Sequence, residues 1–142
     1  MRFPPGLKED WCPDRRLAQI ALYAVDPARL AAFYVEVTQL RLGEGADGFI
    51  TLASDSLELH IVRVPEEVAA TIGISVPPTR REDTPIKVSF EVLNIEDARA
   101  AAARLGGRID GIETEWVWRG EAHCAGFDPE GNVFQVRAEV DS

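Results

Sequence analysis

Polar and apolar residues take turns along LELHIV, residues 57–62, where Leu57, Leu59 and Ile61 alternate with Glu58 and His60. Alternation of this kind predicts a strand with one apolar face and one polar face. The rest of the chain yields to the same reading. Residues 17–25, LAQIALYAV, form a strand candidate, and Asp26-Pro27 then supplies an N-cap and a proline for the first helical turn. Leu30, Phe33, Tyr34 and Val37 follow at helical spacing, which predicts an amphipathic helix to about Thr38. LRLGE, GFITLAS and LELHIVRV are three further strand candidates, separated by Gly, Asp and Ser turn signals. The order is β-α-β-β-β.

Residues 64–85 break the pattern. Prolines stand at 65, 77, 78 and 85 and charges cluster at 80–83, so this segment reads as a connector with a helical turn at 66–72. The pattern then restarts. IKVSFEVL, 86–93, alternates as a strand. Asn94 caps a helix, with Asp97 in the capping-box position. Ala98, Ala101, Ala102 and Leu105 form its buried stripe, and Gly106-Gly107 ends it. RIDGIE, WVWRGEAHCAGF and NVFQVRAEV are strand candidates, the last two joined by the turn Asp128-Pro129-Glu130-Gly131-Asn132. Again the order is β-α-β-β-β. The chain is thus expected to be one domain spanning residues 1–142. It holds a module at 17–63, the connector at 64–85 and a second module at 86–139. Helices on the outside would leave the polar strand faces turned toward each other or toward solvent.

Charge narrows the partners. A net charge of −9 without a basic cluster repels phosphate backbones, so nucleic-acid and anionic-membrane binding are not expected. Arg15–Arg16 and Arg80–Arg81 are isolated pairs. No apolar run approaches the ~20 residues needed to cross a bilayer, and the first residues lack a signal-peptide pattern, which makes the cytoplasm the default location. The two cysteines, Cys12 and Cys124, make no disulfide framework and are expected to be reduced. No nucleophile elbow, P-loop, dinucleotide fingerprint or zinc-finger spacing occurs.

With VDPARLAAFYVEVTQLRL after the first strand and GFDPEGNVFQV before the last, the repeat resembles the vicinal oxygen chelate superfamily over roughly residues 17–139. That superfamily includes glyoxalase I, extradiol dioxygenases, fosfomycin-resistance enzymes and bleomycin-binding proteins. The resemblance implies an α+β fold in which two βαβββ modules curl into a cup-shaped mixed sheet, with the site in the cup. It does not imply one reaction. In metal-dependent members, four ligands come from the first and fourth strand of each module. Carried over one at a time, these positions fall on Gln19, Glu58, Lys87 and Gln135.

Lys87 is the misfit, because an ammonium does not coordinate metal. At ~4 Å and an effective dielectric of ~20, each pair of unit charges interacts by about 4 kcal/mol, and a dication would be repelled by about twice that. The expectation is that Lys87 replaces the metal's charge and forms an ion pair with Glu58 across the cup. By the same parity Gln19, Ala21, Tyr23, His60, Ser89, Glu91, Val133, Gln135 and Arg137 face inward, and His123 is placed with them. His60 and His123 are general-base candidates. With Glu58 they also make a two-His, one-carboxylate set suited to iron(II) or zinc. The bland alternative for both is a polar cavity residue with no chemistry. Lys87 is either a desolvated nucleophile or base, or a structural ion-pair partner.

Trp116 and Trp118 share one face of a hairpin. They wall an aromatic pocket, or else pack against the connector or a partner subunit. Glu113, Glu115 and Glu121 give a negative rim that favours a cationic ligand, or simply a solvated edge.

The leading expectation is a metal-free protein that binds a small organic molecule, cationic or aromatic, for sequestration or for acid–base catalysis by Glu58, His60, Lys87 or His123. Gln19, Tyr23, Ser89, Trp118, Gln135 and Arg137 would contact the ligand. The second is a metal-dependent lyase, isomerase or dioxygenase with a divalent ion held by Glu58, His60, Gln19 and His123. The third is a non-catalytic dimerisation module. A homodimer is expected by analogy with the family.

Overall fold

The computed structural model describes residues 18–140. Cys12, Arg15–Arg16 and the first residue of the expected opening strand lie outside them. Strand β1 (Ala18–Ala24) leads to helix α1 (Pro27–Thr38), then β2 (Arg41–Ala46), β3 (Phe49–Ala53) and β4 (Leu57–Arg63). Of the expected helical turn at 66–72, the segment Glu66–Ala69 is helical (α2). The second module runs β5 (Val88–Glu91), α3 (Ile95–Arg104), β6 (Arg108–Ile109), β7 (Trp116–Trp118), β8 (Glu121–Phe127) and β9 (Val133–Glu139).

The strands form two mixed sheets. One has the order β1-β4-β3-β2; the other has β5-β9-β8-β6, with β7 also paired to β8. In each, the first and last strands of the module lie parallel and the rest are antiparallel. This is the α+β arrangement of two βαβββ units expected from the repeat. The second unit differs in one respect. The single strand expected over WVWRGEAHCAGF is a two-residue hairpin, because Arg119 (φ 53°) and Gly120 (φ 76°) both take left-handed backbone and turn β7 into β8. The expected strand over RIDGIE shortens to Arg108–Ile109 and passes into a 3₁₀ turn at Ile112–Thr114.

Local signals set the helix ends. The Asp26 side chain accepts the Arg29 N–H, and the Asn94 side chain accepts the Asp97 N–H. Gly106 (φ 92°) follows α3 in the conformation that glycine adopts most cheaply. Leu30, Phe33, Tyr34 and Val37 are all buried, as the helical spacing predicts. They belong to one core that also holds Leu52, Leu59 and Ile61 of the first sheet and Phe90, Phe134 and Val136 of the second. Phe33 and Tyr34 both pack edge-on against Phe134. At about 1.5–3 kcal/mol for each fully buried large side chain, this shared core is the main term joining the two modules.

The Asp128–Asn132 turn adds a polar clasp. Asp128 is fully buried, and its Oδ1 accepts the Glu130 and Asn132 N–H groups at 2.8 and 3.0 Å. The Tyr34 hydroxyl donates to Oδ2 at 2.7 Å from α1 of the other module. The Glu130 carboxylate accepts the Val25 and Asp26 N–H groups, each at 2.9 Å. Burial raises the Asp128 carboxyl above its ordinary range, against the lowering effect of its hydrogen bonds. Burial, and then the charge of Asp128, raises the Tyr34 phenol. No helix among the described residues is long and apolar enough to cross a membrane.

Candidate functional site

Both sheets turn their apolar faces to the shared core, so the alternate residues of every strand are left on the opposite, polar faces. On the first sheet Gln19 lies opposite Glu58, Ala21 opposite His60, and Thr51 opposite His60 from the other side. On the second, Ser89 lies opposite Gln135, Glu91 opposite Arg137, His123 opposite Arg137, and Trp116 opposite His123. The parity expected for Gln19, Tyr23, Glu58, His60, Ser89, His123, Gln135 and Arg137 is the parity of these registers.

Lys87 departs from it. The residue and its side chain are exposed, it precedes β5, and it forms no ion pair with Glu58. Counting seven residues back from the helix cap assumes first strands of equal length, but β5 has four residues where β1 has seven. The residue that stands to Gln135 as Gln19 stands to Glu58 is Ser89.

Glu58 instead pairs with His60. It is buried (5% exposed), and its Oε2 lies 3.2 Å from His60 Nε2. His60 Nδ1 lies 2.9 Å from Thr51 Oγ1. In the neutral ring the proton belongs on Nε2, donated to the carboxylate, while the threonine hydroxyl donates to Nδ1. Both ring nitrogens are therefore engaged, which leaves no lone pair for a metal. Thr51 is the member of this chain that sequence reasoning missed. The signal was present, since GFITLAS alternates and threonine is its polar residue facing His60 across the ladder.

His123 sits in a different setting. It is buried, its ring stacks on Trp116 (centroids 5.5 Å apart, planes at 11°), and Trp118 lies tilted beside it at 5.9 Å. The Trp118 carbonyl lies 3.3 Å from Nε2, an acceptor that fixes the proton there in the neutral ring. Above this aromatic floor is a cavity of about 330 Å³. Its walls are Ser89, Glu121, Gln135 and Arg137, with Trp116, Trp118, His123 and Arg119. Five residues expected in the site meet here: Ser89, Trp118, His123, Gln135 and Arg137. Tyr23, His60 and Lys87 do not line this cavity. A second cavity of about 430 Å³ lies where the Ser54–Leu57 turn approaches β5, and it shares Ser89 and Arg137 with the first.

The acidic residues near the tryptophans do not gather at the cavity. Glu115 pairs with Arg99 of α3 at 2.6 Å, away from the cavity, and only Glu121 of the three acids lines it. Arg99 also bonds Glu96 and the Asp110 carbonyl. Burial works to lower its proton affinity, but the hydrogen bonds to Glu115 and Glu96 raise it overall.

The residues at the metal-ligand positions are a poor fit to a divalent ion. Among the described residues, no three of His, Cys, Asp and Glu come together closely enough to hold a metal, so the set of Glu58, His60, Gln19 and His123 does not assemble. At the four strand positions stand one carboxylate already paired with an imidazole, two neutral amides and a hydroxyl.

Residues 19–137 match the model of the Glyoxalase-like domain family, and the chain belongs to that family. No curated protein matches the chain. Among solved structures, it is similar to a glyoxalase/bleomycin resistance protein from Albidiferax ferrireducens T118. The two share 15% identity at a TM-score of 0.62, over 87% of this chain and 98% of that one. A glyoxalase/bleomycin resistance protein/dioxygenase family enzyme from Burkholderia phytofirmans PsJN gives 17% identity and a TM-score of 0.61 over the same shares. A third similar structure is a glutamate-to-glutamine variant of the fosfomycin resistance protein FosX from Listeria monocytogenes, complexed with Mn(II) and 1S,2S-dihydroxypropylphosphonic acid. It gives 15% identity and a TM-score of 0.60, over 87% of this chain and 90% of that one. Identities this low establish the shared fold and leave the chemistry to the site.

Proposed function

We propose that the protein binds a small organic molecule with a flat aromatic part, without a metal, in the cavity over the second sheet. The observation that carries this reading is the aromatic floor. Trp116, His123 and Trp118 stand side by side, and Trp116 and Trp118 remain 41% and 58% exposed at the cavity. Large half-exposed aromatic rings beside convergent polar groups are the composition of a small-molecule site, and about 330 Å³ lies at the lower end of the ~300–1,000 Å³ range of such pockets. Metal independence is supported by the engagement of Glu58 with His60 and by the neutral side chains at Gln19, Ser89 and Gln135. Homodimerisation belongs to the same reading, supported by the exposed edge strand β2 and by Val117 on β7.

The test is a thermal-shift screen on chelator-treated protein, with zinc, nickel, manganese, iron(II) and a library of small aromatic compounds. Ligands that bind the native fold raise the melting temperature by mass action. The reading predicts shifts with aromatic compounds that disappear in Trp118→Ala, and none with the metals. A stoichiometric metal that is lost in Glu58→Ala would contradict it.

A second reading rests on the Glu58–His60–Thr51 chain. A carboxylate and a hydroxyl on the two ring nitrogens form a proton relay, which supports metal-free acid–base catalysis on the first sheet. Product analysis of every bound compound, in wild type and His60→Gln, tests it. Turnover unchanged by the substitution would dismiss it.

A further inference from the structure

The cavity over the second sheet carries two guanidiniums and one carboxylate, on a chain whose net charge is −9. Arg137 is held in place: its Nη1 donates to the Ser89 carbonyl at 2.8 Å and to the Ser89 hydroxyl at 3.2 Å. Glu121 forms an ion pair with its Nε at 3.6 Å, a separation too long for a direct hydrogen bond. Among the described residues nothing bonds its Nη2. A guanidinium fixed at Nη1 and open at Nη2 is preorganised to donate a charge-assisted N–H bond to an oxygen of a carboxylate-like group.

Arg119 gives an independent observation. It occupies a left-handed position (φ 53°) in the two-residue turn between β7 and β8, where Asn or Gly fits with less strain. A side chain there costs about 1–2 kcal/mol of backbone energy. Its guanidinium lies over the Trp118 ring, 4.6 Å from the centroid, at the lip of the cavity. An unfavourable backbone position that delivers a cation to a pocket lip points to a role in the pocket.

Resting on the aromatic-pocket reading above, we propose that this cavity selects ligands that join a flat aromatic ring to an anionic oxygen group. Arg137 takes the anion, and Arg119 covers the ring from its platform on Trp118. This choice is opposite in sign to the cationic ligand that the acidic residues of this region suggested.

Three matched probes test it by isothermal titration calorimetry: 2-naphthoate, 2-naphthamide and 2-naphthylmethylammonium. The naphthoate should bind at least about tenfold tighter than the amide, the scale of one charge-assisted hydrogen bond, and the ammonium should bind weakest. Arg137→Gln should shrink the preference for naphthoate over amide to about threefold or less while leaving amide binding in place. Arg119→Gly, which relieves backbone strain and so preserves the fold, should weaken both probes. Raising the salt concentration should reduce the naphthoate advantage, because the paired charges remain partly solvated. Equal binding of all three, or tightest binding of the ammonium, with loss in Trp118→Ala, would overturn this inference and leave the aromatic pocket standing. Binding of none would overturn both.

Discussion

Tyr34→Phe removes one oxygen atom, and with it a direct polar link between the modules. The hydroxyl is buried and donates at 2.7 Å to a carboxylate that is itself fully buried. A hydrogen bond to a charged partner contributes about 1.5–3 kcal/mol. The lost atom leaves little cavity, and Asp128 keeps its bonds from Glu130 and Asn132, so the cost should be about 2 kcal/mol at neutral pH. For a chain of this size that corresponds to roughly 5–10 °C in melting temperature. Urea unfolding of wild type, Tyr34→Phe, Asp128→Asn and the double variant closes a cycle whose coupling should be about 1–2 kcal/mol.

The effect should depend on pH. Burial raises the Asp128 carboxyl, so the folded protein takes up this proton at a higher pH than the unfolded chain, whose carboxyl titrates near ~3.9. The stabilisation from this group is therefore complete below ~3.9 and is lost as pH rises through the folded value. Asp128→Asn should lack that segment of the stability profile. The cost of Tyr34→Phe should shrink toward about 1 kcal/mol in acid, where the bond is made to a neutral carboxyl. A change below about 0.5 kcal/mol at neutral pH, or a coupling near zero, would refute the argument.

Other expectations follow from single contacts. Gly107→Ala would drive a methyl group into the Phe33 ring and the Phe127 carbonyl and should cost at least about 2 kcal/mol, whereas Gly73→Ala, with open space around it, should be close to neutral by thermal melting. Arg119→Gly should raise stability by up to about 1 kcal/mol, and Arg119→Val should lower it by about as much, since a β-branched residue is poorly suited to left-handed backbone. Thr51→Val keeps the shape but removes the hydroxyl from His60, and denaturant unfolding should show a loss of about 1 kcal/mol.

The fold was legible because both of its periodicities are strongly written. Leu30, Phe33, Tyr34 and Val37 could serve only as one face of a helix, and Leu57, Leu59 and Ile61 only as one face of a strand. The polar residues between them then had to share the opposite face, which is why the parity of Glu58, His60, Gln135 and Arg137 could be read directly. Register between strands was harder to read. Lys87 was misplaced because alternation specifies a face but not where a strand begins, and β5 is shorter than β1. With Lys87 outside the strand, its proposed charge pairing with Glu58 lost its basis, and the nearer imidazole of His60 took that place. The choice between an acidic rim and a solvated edge stayed open in the sequence for a related reason. Glu115 adjoins Trp116 in sequence but occupies the other face, where Arg99 of α3 reaches it. The turn at Arg119-Gly120 was missed because arginine is a poor signal for left-handed backbone.

The proposal that aromatic ligands bind over the second sheet without a metal has a direct readout. Two-dimensional ¹H–¹⁵N spectra of the tryptophan indole groups test it most directly, on chelator-treated protein titrated with the strongest compound from the thermal screen. Saturable shifts of the Trp116 and Trp118 indole signals are expected, assigned by single Phe substitutions and unchanged when zinc or manganese is added. Saturable binding that leaves both signals in place, or that appears only with metal, would contradict it.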